Sequence, residues 1–460
     1  MDKLVVQMPD TLTFNKSVRG AGHIRSGKPC QDFSISYQDD KVKILIVCDG
    51  HGGNTYFRSE VGAELAANAC LENMLHFASC TPSSAFEGYK FAITAKPQKN
   101  PFIDAEGNRV RFENLDETQQ RYAKQAQAYI AAEGECLEQQ TLIKSLLSDI
   151  YTEWRNRISR DEKIKPFTKN EKSIIAHHGI EKAYGCTMLA YMQTEHYWLS
   201  FQIGDGEIYV CDKTLTWKTP VPEDCACFLN YTTSLCDQNP LIEFRYTFNG
   251  VDDAPVAAIL CSDGLDGSLR SQENITDFYE QVIGLYIDGD DVESELESYL
   301  PQLSELGNKD DISLAGYIHI SDQYIDNFKL LLNLKKDSRN IQTEFRTRKQ
   351  DIESLSARLE TLRIKLERHK DTRFMRSTEI DEMHKILREK ESVLEDLDKV
   401  IADARMEIEK LEKDLSDKVA KFEEWKFNIK NQMADIEARQ NEITGSDREC
   451  GKQDNTYTNW

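Results

Sequence analysis

The sequence lacks any long hydrophobic segment. Nowhere among its 460 residues do eighteen uncharged apolar residues follow one another, which is about the length that a membrane-spanning helix requires. The first thirteen residues also lack a basic stretch followed by an apolar run of signal-peptide length. We therefore expect a cytoplasmic protein that has no membrane partner.

Residues 1–320 lack an excess of cations. They carry 29 Lys and Arg against 48 Asp and Glu, a balance of −19 within a chain total of −22. Proteins that bind nucleic acid or anionic membranes need clustered cations for the phosphate contacts. The composition therefore argues against a nucleic-acid partner, and it suits a site made of carboxylates.

The cysteines lack the spacing of a secreted disulfide framework. Twelve are present, and several lie inside apolar runs such as residues 46–48 and 259–261, which predicts buried thiols. Cys225 and Cys227 form one close pair, but a metal or redox site of that type needs a second pair.

Glycine and proline are absent from residues 317–444, which predicts a long helix. In a heptad frame that starts at Ile352, thirteen of the fourteen a positions through Ile443 are apolar. This repeat predicts a coiled coil over residues 321–444. The polar segment 445–460 is predicted to be a disordered tail.

The d positions of this repeat bear on the partner of the coiled coil. A parallel homodimer would place Lys390, Lys418 and Arg439 against their own copies, which is unfavourable. Three arrangements remain open: a hairpin within one chain folded near residues 369–376, antiparallel self-association, and pairing with a separate partner protein.

The first 320 residues contain short apolar runs that precede Asp or Gly-Asp. Apolar patterns predict strands over 43–48, 198–203 and 257–261, helices over 58–77 and 137–157, and an inserted hairpin over 89–115 with its turn at 104–108. The predicted class is α+β with antiparallel pairing.

Five aspartates lie at the ends of predicted strands: Asp32, Asp49, Asp205, Asp263 and Asp310. One Asp-Gly pair alone indicates a turn. Strand ends can meet at one edge of a sheet, however, and carboxylates grouped there repel one another unless hard cations neutralise them. Mg²⁺ and Mn²⁺ take carboxylate and water ligands. The recurrence therefore predicts a divalent-metal centre.

At these positions the sequence resembles the metal-dependent serine/threonine protein phosphatases of type 2C, with the motifs in the same order from Gly20 to Ile318. The motifs are VCDGHGG at 47–53, YGCT at 184–187, IGD at 203–205, LCSDGL at 260–265 and KDDIS at 309–313. The resemblance implies two antiparallel β-sheets sandwiched between helices over residues 1–320.

The resemblance also implies a set of metal ligands. Asp49 would bridge two Mn²⁺ or Mg²⁺ ions with help from the Gly50 carbonyl. Asp263 and Asp310 would hold one of these ions, and Asp32 would act mostly through water.

Further roles follow from the same resemblance. Asp205 matches an aspartate beside a third, weaker metal site, and His51 matches the general acid that protonates the leaving alkoxide. Gln31 stands where many members have Glu, and the family's phosphate-gripping arginine is missing from its usual position. Arg25, two residues nearer the N-terminus, is our candidate for that role because a guanidinium binds phosphate through two parallel hydrogen bonds.

The implied function is hydrolysis of phosphoserine and phosphothreonine in protein substrates, with the coiled coil serving assembly or targeting. One alternative is a catalytically silent scaffold that binds partners, although the presence of all five aspartates argues against it. Another is a metal phosphatase that acts on small phosphorylated metabolites.

Overall fold

The structure is a computed structural model that describes residues 11–97, 102, 109–214, 216–224, 232–251, 254–370 and 377–450. The chain divides into two units, residues 1–325 and 326–460. Cys225, Cys227 and the predicted turn at 104–108 lie outside the described residues. Within the described residues, no helix is both long and apolar enough to cross a membrane.

The first unit contains two antiparallel sheets. Its strands within the described residues are β1 (Leu12–Val18), β2 (Phe33–Gln38), β3 (Val42–Cys48), β4 (Lys90–Ile93), β5 (Met188–Thr194), β6 (Trp198–Ile203), β7 (Glu207–Cys211), β8 (Trp217–Lys218), β9 (Arg245–Asn249), β10 (Ala257–Cys261) and β11 (Ile312–Ile318). One sheet has the order β1-β11-β10-β7-β8, and the other has the order β2-β3-β5-β6-β9-β4.

Eight helices within the described residues accompany these sheets: α1 (Ala21–Ser26), α2 (Ser59–Cys80), α3 (Glu117–Ala132), α4 (Leu137–Ile164), α5 (Lys169–Ile174), α6 (Asp263–Leu269), α7 (Gln272–Asp288) and α8 (Val292–Leu306). Local capping sets several of their starts. Asp116 and Gln119 form a reciprocal capping box at α3, and the Asp291 side chain accepts a hydrogen bond from the Ser294 amide at α8.

The core shows why β3 is apolar throughout. Its alternate residues Leu45 and Val47 belong to the cluster that the two sheets bury between them, whereas Ile44 and Ile46 belong to the cluster that α2 and α4 cover. Successive side chains of a strand point to opposite faces, so a strand covered on both sides is apolar at every position. The predicted fold of two antiparallel sheets flanked by helices is confirmed.

Most element predictions for this unit agree with the structure. β6 and β10 have the predicted bounds, β3 starts one residue earlier, and α2 and α4 continue beyond their predicted ends. In the predicted hairpin, the Val110 amide donates to the Phe102 carbonyl at 2.9 Å, while β4 pairs with β9.

The second unit contains two long helices, α9 (Asp322–Lys370), which begins four residues before the boundary of the unit, and α10 (Ser377–Cys450). The ion pairs that join them include Lys418 with Asp337, Arg348 with Glu407 and Arg363 with Asp398. The residue number rises along one helix as it falls along the other, so the pair is antiparallel. Leu359 and Ile401 are buried between the helices.

The helices therefore form a hairpin within one chain, which is one of the three arrangements left open by the sequence. Packing of the coiled-coil type, self-association and a separate partner stay predictions. α10 continues to Cys450, six residues into the predicted tail. Residues 451–460 lie outside the described part of the chain, and their disorder stays a prediction.

Candidate metal centre

Two of the aspartates flank paired ends of β2 and β3. Asp32 directly precedes β2 and Asp49 directly follows β3, and the adjoining residues Phe33 and Cys48 are register partners. The Asp49 amide donates to the Thr187 hydroxyl at 3.1 Å, and the Asp49 carbonyl accepts from the Thr187 amide at 2.8 Å. The two carboxylates therefore lie at one end of the six-stranded sheet.

The other sheet brings further aspartates to the same place. Asp263 is the first residue of α6 and follows β10 after one intervening serine, while Asp310 lies two residues before β11. Asp205 is in the turn from β6 to β7, and the first residue of β7 is the register partner of Cys261 at the end of β10. The ends of both sheets thus contribute to one carboxylate cluster.

Asp49 and Asp263 share a side-chain hydrogen bond. Burial, and then the charge of Asp32, raises the pKa of Asp49 well above its usual range. Burial, and then the charge of Asp205, raises the pKa of Asp263 to about 6. A hydrogen bond between two carboxyl groups requires a proton on one of them, since two carboxylates only accept.

Asp32 is the most buried of the five aspartates. Burial, and then the nearby charge of Asp311, raises its pKa well above the usual range. Its Oδ2 atom is buried and has no hydrogen-bond partner among the described residues. A buried polar atom without a partner is costly, and a cation is one way to satisfy a carboxylate oxygen.

These residues fit a hard divalent cation in the chemistry of their donors. The donors are carboxylate oxygens. Burial, and then neighbouring charge, raises the pKa values of Asp32, Asp49 and Asp263, and Asp32 Oδ2 has no hydrogen-bond partner among the described residues. Within the described residues, however, no three side chains of the His, Cys, Asp or Glu type are grouped as an ion site. The donor set is assembled, while the side-chain positions do not form a chelate.

Gly50 is fixed against the chain next to Asp32. Its amide donates to the Gln31 carbonyl at 3.1 Å, and a Cβ atom added at Gly50 would lie 2.4 Å from that oxygen. Only glycine permits this approach, which holds the segment after β3 against the segment before β2.

His51 lies beside the cluster and is largely enclosed. Its Nε2 atom is 2.6 Å from the Ser234 hydroxyl, and its ring meets the Tyr56 ring edge-on at 4.9 Å. Burial, and then the charge of Lys182, lowers the pKa of His51 to about 4. Because the Ser234 hydroxyl donates to the Cys186 carbonyl, we assign the proton of the neutral imidazole to Nε2.

Arg25 is not brought to the aspartates. Its guanidinium forms an ion pair with Glu305 of α8, and both side chains are about half exposed. The phosphate-gripping role of Arg25 therefore stays a prediction that would require its side chain to leave Glu305.

Asp311 is a structural centre that sequence reasoning missed. Its carboxylate accepts from the amides of Gly20 and Gln31, both at 2.6 Å, and contacts His23 Nδ1 at 2.9 Å. It thereby ties α1 and the segment before Asp32 to the start of β11. The only signal in the sequence was its position directly after Asp310.

A comparison with protein families decides the assignment of the chain. The family model described as "Protein phosphatase 2C" matches residues 19–301, more than half of the chain. The chain belongs to the protein phosphatase 2C family. Phosphatase function at the family level and the association with phosphoprotein substrates follow from this membership.

Three solved structures illustrate the likeness. The catalytic domain of the serine/threonine phosphatase PstP with two manganese ions is 14% identical, covers 68% of this chain and 99% of its own, and has a TM-score of 0.37. PppA of Pseudomonas aeruginosa is 12% identical, with coverages of 68% and 99% and a TM-score of 0.36. RsbX in complex with magnesium is 12% identical, with coverages of 67% and 94% and a TM-score of 0.32. No curated protein sequence matches the chain.

Proposed function

We propose that residues 1–320 of this protein phosphatase 2C member hydrolyse phosphoserine and phosphothreonine in protein substrates with the help of two divalent cations. The observation that carries this proposal is the hydrogen-bonded pair of Asp49 and Asp263 beside the buried Asp32, where the ends of both sheets meet. Carboxylates held this close are stabilised by a cation, and deprotonated carboxylates are the ligands that Mn²⁺ and Mg²⁺ prefer.

The proposed ligands are Asp49, the Gly50 carbonyl, Asp263 and Asp310, with Asp32 orienting a water molecule. Asp205 is the ligand proposed for a third, weaker ion. When bound, divalent cations lower the pKa of water and neutralise the charge of the phosphoryl group. The protein's own contribution is to hold the carboxylates at fixed strand ends, so that little reorganisation is needed during the reaction.

His51 is proposed to protonate the leaving alkoxide of the serine or threonine side chain. With its pKa lowered to about 4, the imidazole is neutral near pH 7 and cannot act as an acid as it stands. A dianionic phosphate bound beside it would raise that pKa and supply the proton-binding form. Ser234, which contacts Nε2, would then hold the ring in position.

Assay of the full chain after removal of metals tests this function. We expect no hydrolysis of p-nitrophenyl phosphate or of a phosphothreonine peptide in chelator, and recovery with Mn²⁺ or Mg²⁺. Activity that survives exhaustive chelation would contradict the metal mechanism. Inactivity with every cation would favour the silent scaffold, with which the Arg25–Glu305 pair is compatible.

The antiparallel helices of the second unit are proposed to direct the phosphatase to a partner or to assemble it. The pair leaves apolar side chains exposed, including Ile386, Val393 and Met406. Such side chains on a long charged helix could contact another helix. Co-purification of the full chain, but not of a truncation at residue 325, with a partner or a second copy is the expected result.

A further inference from the structure

A cavity lies next to the candidate metal centre. It has a volume of about 590 Å³, and Gln31, the residue before Asp32, forms part of its wall. Gly53 and Tyr56, which follow His51 along the chain, line it as well. A substrate residue close to the phosphorylated side chain could therefore enter this space while the phosphate occupies the metal centre.

Gln31 contributes a buried amide group to this wall. The residue is 7% exposed, and its Oε1 atom has no hydrogen-bond partner among the described residues. Its Nε2 atom donates to the His51 carbonyl at 3.1 Å and to the Ser59 hydroxyl. Because both amide hydrogens are used, the Gln31 amide is held in one orientation, and this part of the cavity wall is fixed.

The rest of the lining combines apolar and acidic groups. Pro29, Phe57 and Ile174 supply apolar surface. The charged lining residues are Glu60, Glu171 and Lys28, so carboxylates outnumber cations in the wall. The Glu171 carboxylate accepts a hydrogen bond from the Thr168 amide at 2.7 Å, whereas Glu60 forms no ion pair within the described part of the chain. The lining therefore favours an occupant with an apolar stem and a cationic head that donates hydrogen bonds.

We propose that this cavity binds a lysine or arginine side chain next to the phosphorylated residue of a phosphoprotein substrate. The methylene stem packs on Phe57 and Ile174, and the cationic head pairs with Glu60. The inference rests on the proposed function, because it gives the phosphatase a preference for basic neighbours of the phosphorylated residue.

The test uses phosphothreonine peptides in which each position flanking the phosphothreonine is in turn Arg or Leu. For the metal-loaded full chain we expect Arg at one position to raise kcat/KM about fivefold, as a partly exposed ion pair allows. Glu60→Gln should reduce this ratio to about one, and Glu60→Lys should favour Glu at that position. Glu64→Gln, one turn further along α2 and exposed, is the matched control and should keep the wild-type preference.

Two readouts separate this inference from the proposed function. Hydrolysis of p-nitrophenyl phosphate, which has no flanking amino acid to occupy the cavity, reports the metal centre and should be equal in the wild type and all three variants. If no substrate is hydrolysed, the proposed function fails, and fluorescence anisotropy of the same labelled peptides decides the inference by binding alone. The inference is overturned by the absence of a preference for Arg at any position, or by a preference that Glu60→Gln leaves intact.

Discussion

At the scale of residues, the site aspartates differ in burial and in hydrogen bonding. Asp32 is buried, Asp49 and Asp263 share a hydrogen bond, and Asp310 is exposed to solvent. Burial raises the pKa values of Asp32, Asp49 and Asp263, and the charges of neighbouring aspartates raise them further. A purely structural role would not require several carboxylates close together. Single substitutions of these aspartates therefore test whether they bind metal.

Replacing Asp49 with Asn should separate metal binding from folding. We expect Asp49→Asn to lower kcat by at least about a hundredfold, because a ligand charge is lost. Its thermal stability in chelator should equal or exceed that of the wild type, because one repelling charge is removed. The matched control is Asp39→Asn in the exposed turn between β2 and β3. Its kcat and its thermal stability should both stay close to those of the wild type. Near-normal turnover of Asp49→Asn would mean that the site is placed wrongly.

His51→Ala tests the proposed acid through the chemistry of the leaving group. An alkoxide needs a proton to leave, whereas nitrophenolate leaves readily without one. We therefore expect a loss in kcat of about a hundredfold or more on a phosphothreonine peptide and a clearly smaller loss on p-nitrophenyl phosphate. Equal losses on both substrates would indicate that His51 serves structure through its contacts with Tyr56 and Ser234.

The sequence allowed us to predict that the five aspartates lie near strand ends, because each follows or precedes an apolar run with strand spacing. It did not allow prediction of which side chains contact them. Asp311 became visible as an organiser only when the fold brought α1 to the start of β11. Similarly, the pairing of Arg25 with Glu305 depends on the packing of α1 near α8, which no local pattern encodes.

At the scale of elements, close backbone contacts position the ends that carry the aspartates. Gly264 is the second residue of α6 and directly follows Asp263. A Cβ atom at Gly264 would lie 1.8 Å from the Asp311 carbonyl oxygen. The absence of a side chain thus lets α6 approach the start of β11. Both segments carry proposed metal ligands, so this contact sets the spacing between Asp263 and Asp310.

Gly264→Ala should push these two elements apart. We expect the free energy of unfolding to fall by about 1–3 kcal/mol, as for an overpacked interior, together with weaker activation by Mn²⁺. Gly134→Ala is the control, since a Cβ atom there meets nothing within 4 Å, and its stability should change by less than about 1 kcal/mol. Chemical denaturation and Mn²⁺-dependence of the rate measure the two effects. Wild-type behaviour of Gly264→Ala would contradict the proposed spacing role.

Element prediction succeeded where periodicity was strong and failed at boundaries set by tertiary contacts. β6 and β10 were predicted with their observed bounds because apolar runs of five or six residues ended in turn residues. The longer end of α4 was missed because residues 159–163 are all polar. There Asp161 receives hydrogen bonds from Arg58 and Tyr184, a contact that only the folded chain provides.

At the scale of the whole molecule, the chain combines an acidic phosphatase unit with an antiparallel helix pair. The absence of glycine and proline predicted the long helices, but the heptad pattern left three partners open. The ion pairs between α9 and α10 favour the hairpin within one chain.

A double variant tests the hairpin directly. Arg363→Cys with Asp398→Cys places two thiols at positions now joined by an ion pair of 3.5 Å. An ion pair between long side chains does not bring their Cβ atoms within disulfide reach, so a bismaleimide reagent is used as the crosslinker. It should link the two thiols within one chain, which peptide mass spectrometry detects, and the product should keep a monomeric mass by light scattering. Each single variant controls for the native cysteines and should form no new link within the chain. A crosslinked dimer as the main product would show that the helices pair between chains.

The central claim is that the aspartates at the joined strand ends form a divalent-metal centre. The most direct measurement is the number of Mn²⁺ ions bound by the metal-stripped full chain, followed by electron paramagnetic resonance during titration, for the wild type, Asp49→Asn and Asp263→Asn. We predict saturable binding of two or three ions by the wild type. Each variant should bind fewer ions or bind them with lower affinity. No saturable binding, or binding that both variants retain unchanged, would contradict it.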